Sequence, residues 1–156
     1  MLTTPHILTG ITIANKIQSL PLALAASMVS HQLLDLIPHD DFVDIEDLSF
    51  FKDGHFRITP SIIFVAVDSL VAFSLLLYFS LYFNEPLRYL LCGILSIWSD
   101  LLRIPYIFFN SNANFFKTID KMENNIFHNT EKSLWGKAIQ IAIIIDALAI
   151  ITNAIL

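Results

Sequence analysis

Long apolar runs separated by short polar stretches dominate this chain. Ser61 to Phe83, Leu87 to Phe109 and Ser133 to Leu156 are each mostly apolar and reach the roughly 20 residues a helix needs to cross the hydrocarbon layer. A membrane-spanning strand alternates apolar with polar positions, and none of these runs does, so all three predict helices. The first part of the chain carries two shorter apolar runs, Thr4 to Ile17 and Pro21 to Ile37. Pro5 fits the first turn of a helix capped by Thr3 or Thr4. Pro21 opens the second helix in the same way and Pro38 closes it. Residues 4–37 therefore read as a helical hairpin, spanning or partly re-entrant. Met1-Leu2-Thr3-Thr4 has no basic stretch, and His31 and Asp35 interrupt the run that follows; both features argue against a signal peptide. The expected fold is all-α: a single integral membrane bundle of about five helices, with an acidic loop over residues 38–59 and a polar loop from Asn110 to Lys132.

Composition strengthens the membrane reading. Hydrophobic residues make up 55% and charged residues 15%, with a mean hydropathy of +0.65, against roughly 45–50% and about 25% in soluble domains. Cys92 is the only cysteine, so no disulfide scaffold is possible. A net charge of -5 without a basic stripe excludes nucleic acid as a partner. Alternating helix directions put Lys52, Arg57, Lys117, Lys121, Lys132 and Lys137 at one end of the bundle and leave Lys16 and Arg88 at the other. The excess of Lys and Arg marks the first end as cytoplasmic.

Ionisable groups inside a span cost several kcal/mol unless paired, hydrated or metal-bound, so each marks a site. Here they are His31, Asp35, Asp68, Asp100, Arg103 and Asp146, with His6 at the entrance of the first helix. His6, His31, Asp35, Asp68 and Asp100 all fall near the cytoplasmic end of their helices. Ser27, His31 and Asp35, spaced by four, form one polar stripe; Ser96, Ser99, Asp100 and Arg103 form another. Gly10, one turn beyond His6, belongs to a small-residue face that lets backbones approach closely. His39, Asp40 and Asp41 stand at the mouth of the same bundle, and His128 lies in the opposite loop. Histidines and carboxylates without thiolates suit zinc, manganese or iron. Their number exceeds the needs of one tetrahedral ion and fits two ions, or one ion with an outer shell of carboxylates. Each feature also has a plainer reading. His31 with Asp35 fits a helix-joining hydrogen bond or a proton relay, Asp100 with Arg103 a local salt bridge, and Asp146 a helix-packing hydrogen bond.

The segments TPHILTG around His6, SHQLLDLIPHDD from Ser30 to Asp41, an Asp in the next span and GILSIWSDLLRIPY from Gly93 to Tyr106 occur in that order. Together they resemble small bacterial membrane proteins labelled membrane-bound metal-dependent hydrolases, a group distantly similar to zinc-dependent phospholipase C-type proteins. The resemblance implies a metal-binding set of His6, His31, Asp35, His39, Asp41 and Asp100, supported by Asp68, in a bacterial plasma membrane. Two features depart from that pattern: Ser99 rather than proline precedes Asp100, and the late loop offers only His128.

The expected activity is metal-assisted hydrolysis of an ester, in the first place a phosphoester in or near a membrane lipid, with Asp68 or Asp41 as base. An ion or proton transporter using Asp68, Asp100 and Asp146, and a non-catalytic membrane protein with structural His/Asp pairs, are the competing readings. Monomer and dimer are both open. No G-x-S-x-G elbow, P-loop or dinucleotide fingerprint occurs. The basic phosphate-binding signature of the phosphatidic-acid phosphatases is missing too.

Overall fold

A computed structural model describes residues 2–40, 42–43, 47–52, 55–109, 113–122, 125 and 134–154. The described chain is helical: α1 Thr3–Lys16, α2 Leu20–Asp35, α3 Pro60–Tyr82, α4 Pro86–Leu95, α5 Trp98–Phe109, α6 Asn114–Met122 and α7 Leu134–Asn153. A two-residue antiparallel pairing of β1, Phe51–Lys52, with β2, His55–Phe56, lies before α3.

Two helices, α3 and α7, are long and apolar enough to cross a membrane, with mean hydropathies of 2.4 and 1.9. The expected span from Leu87 to Phe109 is instead broken at Ser96–Ile97 into α4 and α5, bent by 54°; counted as one, the pair gives a third candidate. No proline or glycine sits at the break. Ser96 Oγ donates back to the Gly93 carbonyl at 2.7 Å, a local bond that competes with the helical ladder and bends helices. Pro105, by contrast, lies inside the unbroken α5. The helices of the N-terminal hairpin hold 14 and 16 residues. At 1.5 Å per residue they are roughly 21 and 24 Å long, short of the ~30 Å hydrocarbon core.

The shorter α1 is the central helix and packs against α2, α3, α4 and α7. Ile7, Leu8 and Ile11 on it are fully buried. Gly10 is what admits α4 so closely: a Cβ there would lie 2.7 Å from the Cys92 carbonyl and 2.8 Å from Ser96 Oγ. The ends of α1 are finished by other helices rather than by local caps. The first residue outside it is Leu2, which makes no side-chain cap, so neither Thr3 nor Thr4 caps as expected. Instead Asp68 of α3 accepts from the Thr3 and Thr4 N–H groups at 2.7 and 3.3 Å and from Thr4 Oγ1 at 2.6 Å. A carboxylate there meets both the orphan donors and the positive end of the helix dipole. At the far end Arg88 donates to the Ala14 carbonyl at 2.8 Å and also to the Ile17 carbonyl, satisfying acceptors that α1 leaves open.

Thr59 caps α3, accepting from the Ile62 N–H at 3.2 Å, and Pro60 occupies its first turn. The chain after α2 is tied to the same end of the bundle. Gln140 of α7 donates to the Asp40 carbonyl, and the Phe50 N–H to the Phe108 carbonyl at 2.9 Å. The start of α1, the end of α2, the start of α3, the end of α5 and the start of α7 therefore meet at one end of the molecule. The polar loop expected from Asn110 to Lys132 contains α6, which packs against α5.

Candidate metal centre

Three helices bring imidazoles and carboxylates together beneath that end. His6 is on the core-facing side of α1, one turn before Gly10, so the close approach of α1 to α4 fixes its depth. His31 and Asp35 lie one turn apart on the buried face of α2, with Ser27 one turn earlier. Asp100 comes from the first turn of α5.

The two imidazoles stack at 4.3 Å between ring centroids. His6 Nε2 lies 3.2 Å from Asp35 Oδ1, and His31 Nε2 lies 3.3 Å from Asp35 Oδ2 and 3.8 Å from Asp100 Oδ1. One ligand atom each from His6, His31 and Asp100 falls within 4.8 Å of the other two. His6, His31 and Asp35 are almost fully buried, whereas the Asp100 side chain is 38% exposed and so connects the cluster to the outside.

The protonation pattern at His31 follows from its partner. Nδ1 sits 2.9 Å from the Ser96 carbonyl, which can only accept, so Nδ1 carries the proton. A neutral ring then has its lone pair on Nε2, the atom that faces the carboxylates. The helix break between α4 and α5 thus places a backbone acceptor where it orients the His31 imidazole. His6 Nδ1, His6 Nε2 and His31 Nε2 are buried and have no hydrogen-bond partner among the described residues. A buried nitrogen left unpaired costs about 1–3 kcal/mol; the Asp35 carboxylate stands against both Nε2 atoms, and His6 Nδ1 has no partner among the described residues.

The donor set fits a divalent transition ion. Zinc binds imidazole nitrogen and carboxylate oxygen at about 2.0–2.2 Å in a tetrahedron, which separates neighbouring ligand atoms by roughly 3.3–3.5 Å. The two Asp35 contacts, made by different carboxylate oxygens, come close to that spacing and the Asp100 contact is a few tenths of an ångström longer; the group of three able to hold one ion is His6, His31 and Asp100, without Asp35.

Surrounding groups hold Asp100 and shape its approach. Arg103, one turn on, is buried and places Nη1 3.8 Å from Asp100 Oδ1, while its Nε and Nη2 both donate to Asp120 Oδ1 of α6 at 2.9 Å. The local Asp100–Arg103 pair read from the sequence is therefore part of a longer chain. Asp120 was not legible as a member, because it lies on a short amphipathic segment far along the chain. Asp68 and Asp100 line one cavity of about 340 Å³ whose remaining wall is mostly apolar.

The other expected residues are placed as follows. His39 is buried just past α2, with its Nδ1–H donated to the Ile37 carbonyl at 2.8 Å; the three-residue group does not include it. Asp40 accepts from the Phe42 N–H at 2.7 Å, and its other oxygen lies 3.8 Å from Lys137 Nζ. Asp146 is exposed on α7 rather than engaged between helices. Asp41 and His128 lie outside the described residues. No family model, curated protein or solved structure matches this chain.

Proposed function

We propose that this chain is an integral membrane, metal-dependent hydrolase that cleaves an ester at the membrane interface, in a bacterial plasma membrane with the site near the cytoplasmic face. The observation that carries the reading is the meeting of the buried His6 Nε2 and His31 Nε2 on the Asp35 carboxylate, with Asp100 beside them. His6, His31, Asp35 and Asp100 would hold the ion, zinc in the first place and manganese or iron as the alternatives. Such an ion supplies Lewis acidity, acidifying a water and polarising the ester oxygen. The residues do the rest. His31 is fixed by the Ser96 carbonyl, Arg103 orients Asp100, and Asp68, on the wall of the same cavity, is the base that takes the proton from the attacking water. A phosphoester or a lipid-like ester is the substrate class, and membrane lipid is the surrounding partner. The resemblance to membrane-bound metal-dependent hydrolases supports the same reading through four of its six implied ligands, His6, His31, Asp35 and Asp100; of the other two, His39 stands apart from the group and Asp41 lies outside the described residues.

Metal content and hydrolysis of p-nitrophenyl phosphate and carboxylate esters, measured on wild type, His31→Ala and Asp100→Ala in detergent, test it. The reading expects near-stoichiometric metal in wild type, its loss in both variants, and activity that a chelator removes and added metal restores. Equal metal in all three proteins, or hydrolysis indifferent to chelation, would overturn it.

A further inference from the structure

The cavity beside the metal centre has an unequal charge wall, and that wall selects what can enter. Its volume is about 340 Å³, at the small end of ligand pockets. Val65 and Phe73 of α3 and Leu101, Ile104, Ile107 and Phe108 of α5 are among its apolar lining. Phe73, Leu101 and Ile104 are themselves substantially exposed, so the cavity opens on the outer flank of α3, a candidate to cross the membrane, and of α5, the second half of the bent pair. A space at the small end of that range suits one acyl chain better than two.

The polar end is acidic. Asp68 and Asp100 line it together with Thr3, Ser69 and Arg103, and Arg103 already faces two carboxylates, Asp100 and Asp120. Asp35 lies behind them against the histidines. Among the described residues, two carboxylates and one guanidinium line this end, and the guanidinium is shared with Asp120 behind it. An anionic head entering such a low-dielectric end meets like charge, whereas a head with hydroxyl donors meets acceptors on Asp68, Asp100 and Ser69.

We infer that this cavity binds a single-chain amphiphile with an uncharged, hydroxyl-bearing head, the chemistry of a monoacyl polyol ester, with its chain between α3 and α5 and its head at Asp100. This narrows the substrate class of the hydrolase proposed above to the lipid-like ester, setting the phosphoester aside, and rests on that reading for turnover, but binding needs no metal.

The test uses full-length protein in detergent, with and without chelator, and three probes of equal chain length: monododecanoylglycerol, dodecyl phosphate and dodecanoate. Native mass spectrometry reads retention, and a diazirine in the chain of the glycerol ester reports location. Retention of the glycerol ester at least tenfold above both anions, unchanged by chelation, is expected. Crosslinks should fall on α3 and α5. Val65→Phe narrows the cavity, and Ile104→Trp does so from a half-exposed position that spares the core; each should lower retention about tenfold. Equal or better retention of either anion, crosslinks elsewhere, or indifference to both variants in folded protein would overturn the inference. Absent metal with the neutral preference intact would sink only the hydrolase reading; bound metal without that preference would sink only this one.

Discussion

At the scale of single residues, each polar side chain near the site holds another in place. The Ser96 carbonyl sets the His31 tautomer, Arg103 links Asp100 to Asp120, and Asp68 fastens the start of α1, the helix that carries His6. Asp68→Asn keeps the shape and removes the charge, so α1 loses charge-assisted bonds worth about 1.5–3 kcal/mol. Thermal unfolding in detergent should show a loss of that size with the metal retained, while hydrolysis falls. Arg103→Ala frees Asp100 from its support and should weaken metal affinity by about 10–100-fold, read by competition with a chelator. Asp120→Asn should reproduce part of that loss, because it acts through the same guanidinium. Spacing alone put Ser27, His31 and Asp35 on one face and brought His6 to the same depth. It did not reveal what Asp68 binds, because the amide groups it caps lie on a different helix and every helix has unsatisfied amides at its start.

At the scale of elements, close packing of α1 on α4 decides whether the two histidines meet. The two tight glycines should respond differently to alanine. At Gly10 the added methyl meets backbone, the Cys92 carbonyl at 2.7 Å, whereas at Gly93 it meets the Leu76 side chain at 2.5 Å. A leucine can change rotamer and a carbonyl inside a helix cannot move alone. Gly10→Ala should therefore cost stability at the upper end of the ~1–3 kcal/mol range for overpacking and release metal by separating His6 from His31. Gly93→Ala should cost less and retain metal. Unfolding midpoints and metal content of the two variants check the contrast. The helices α3 and α7 were legible to within a few residues because each is a long apolar run with a polar or proline-marked start. The α4–α5 break was not, since nothing in Ser96-Ile97 resembles a helix breaker. Nor was α6, whose nine residues are too few and too polar to stand out by hydropathy.

At the scale of the whole molecule, the exposed surface carries large apolar side chains where a soluble protein would carry charge. Leu70, Leu77 and Leu81 on α3 and Ile141 and Ile145 on α7 are more than half exposed, a distribution that suits lipid rather than water. Contacts also bear on the course of the bent pair. The end of α5 bonds to Phe50, just before α3, and the start of α7 bonds to Asp40, so α5 returns to the end from which α3 departs. In the three-crossing arrangement Asn84 and Lys117 stand on opposite sides of the membrane. With buried Cys92 giving little background, Asn84→Cys and Lys117→Cys should react with an impermeant thiol reagent from opposite faces; reaction from the same face would make α4–α5 a re-entrant loop. X-ray absorption at the metal edge of the purified, unmutated protein tests the central claim most directly. The account predicts a bound first-row transition metal with only nitrogen and oxygen neighbours and the outer-shell scattering of two imidazoles. An empty edge, or a sulfur neighbour in the first shell, would contradict it.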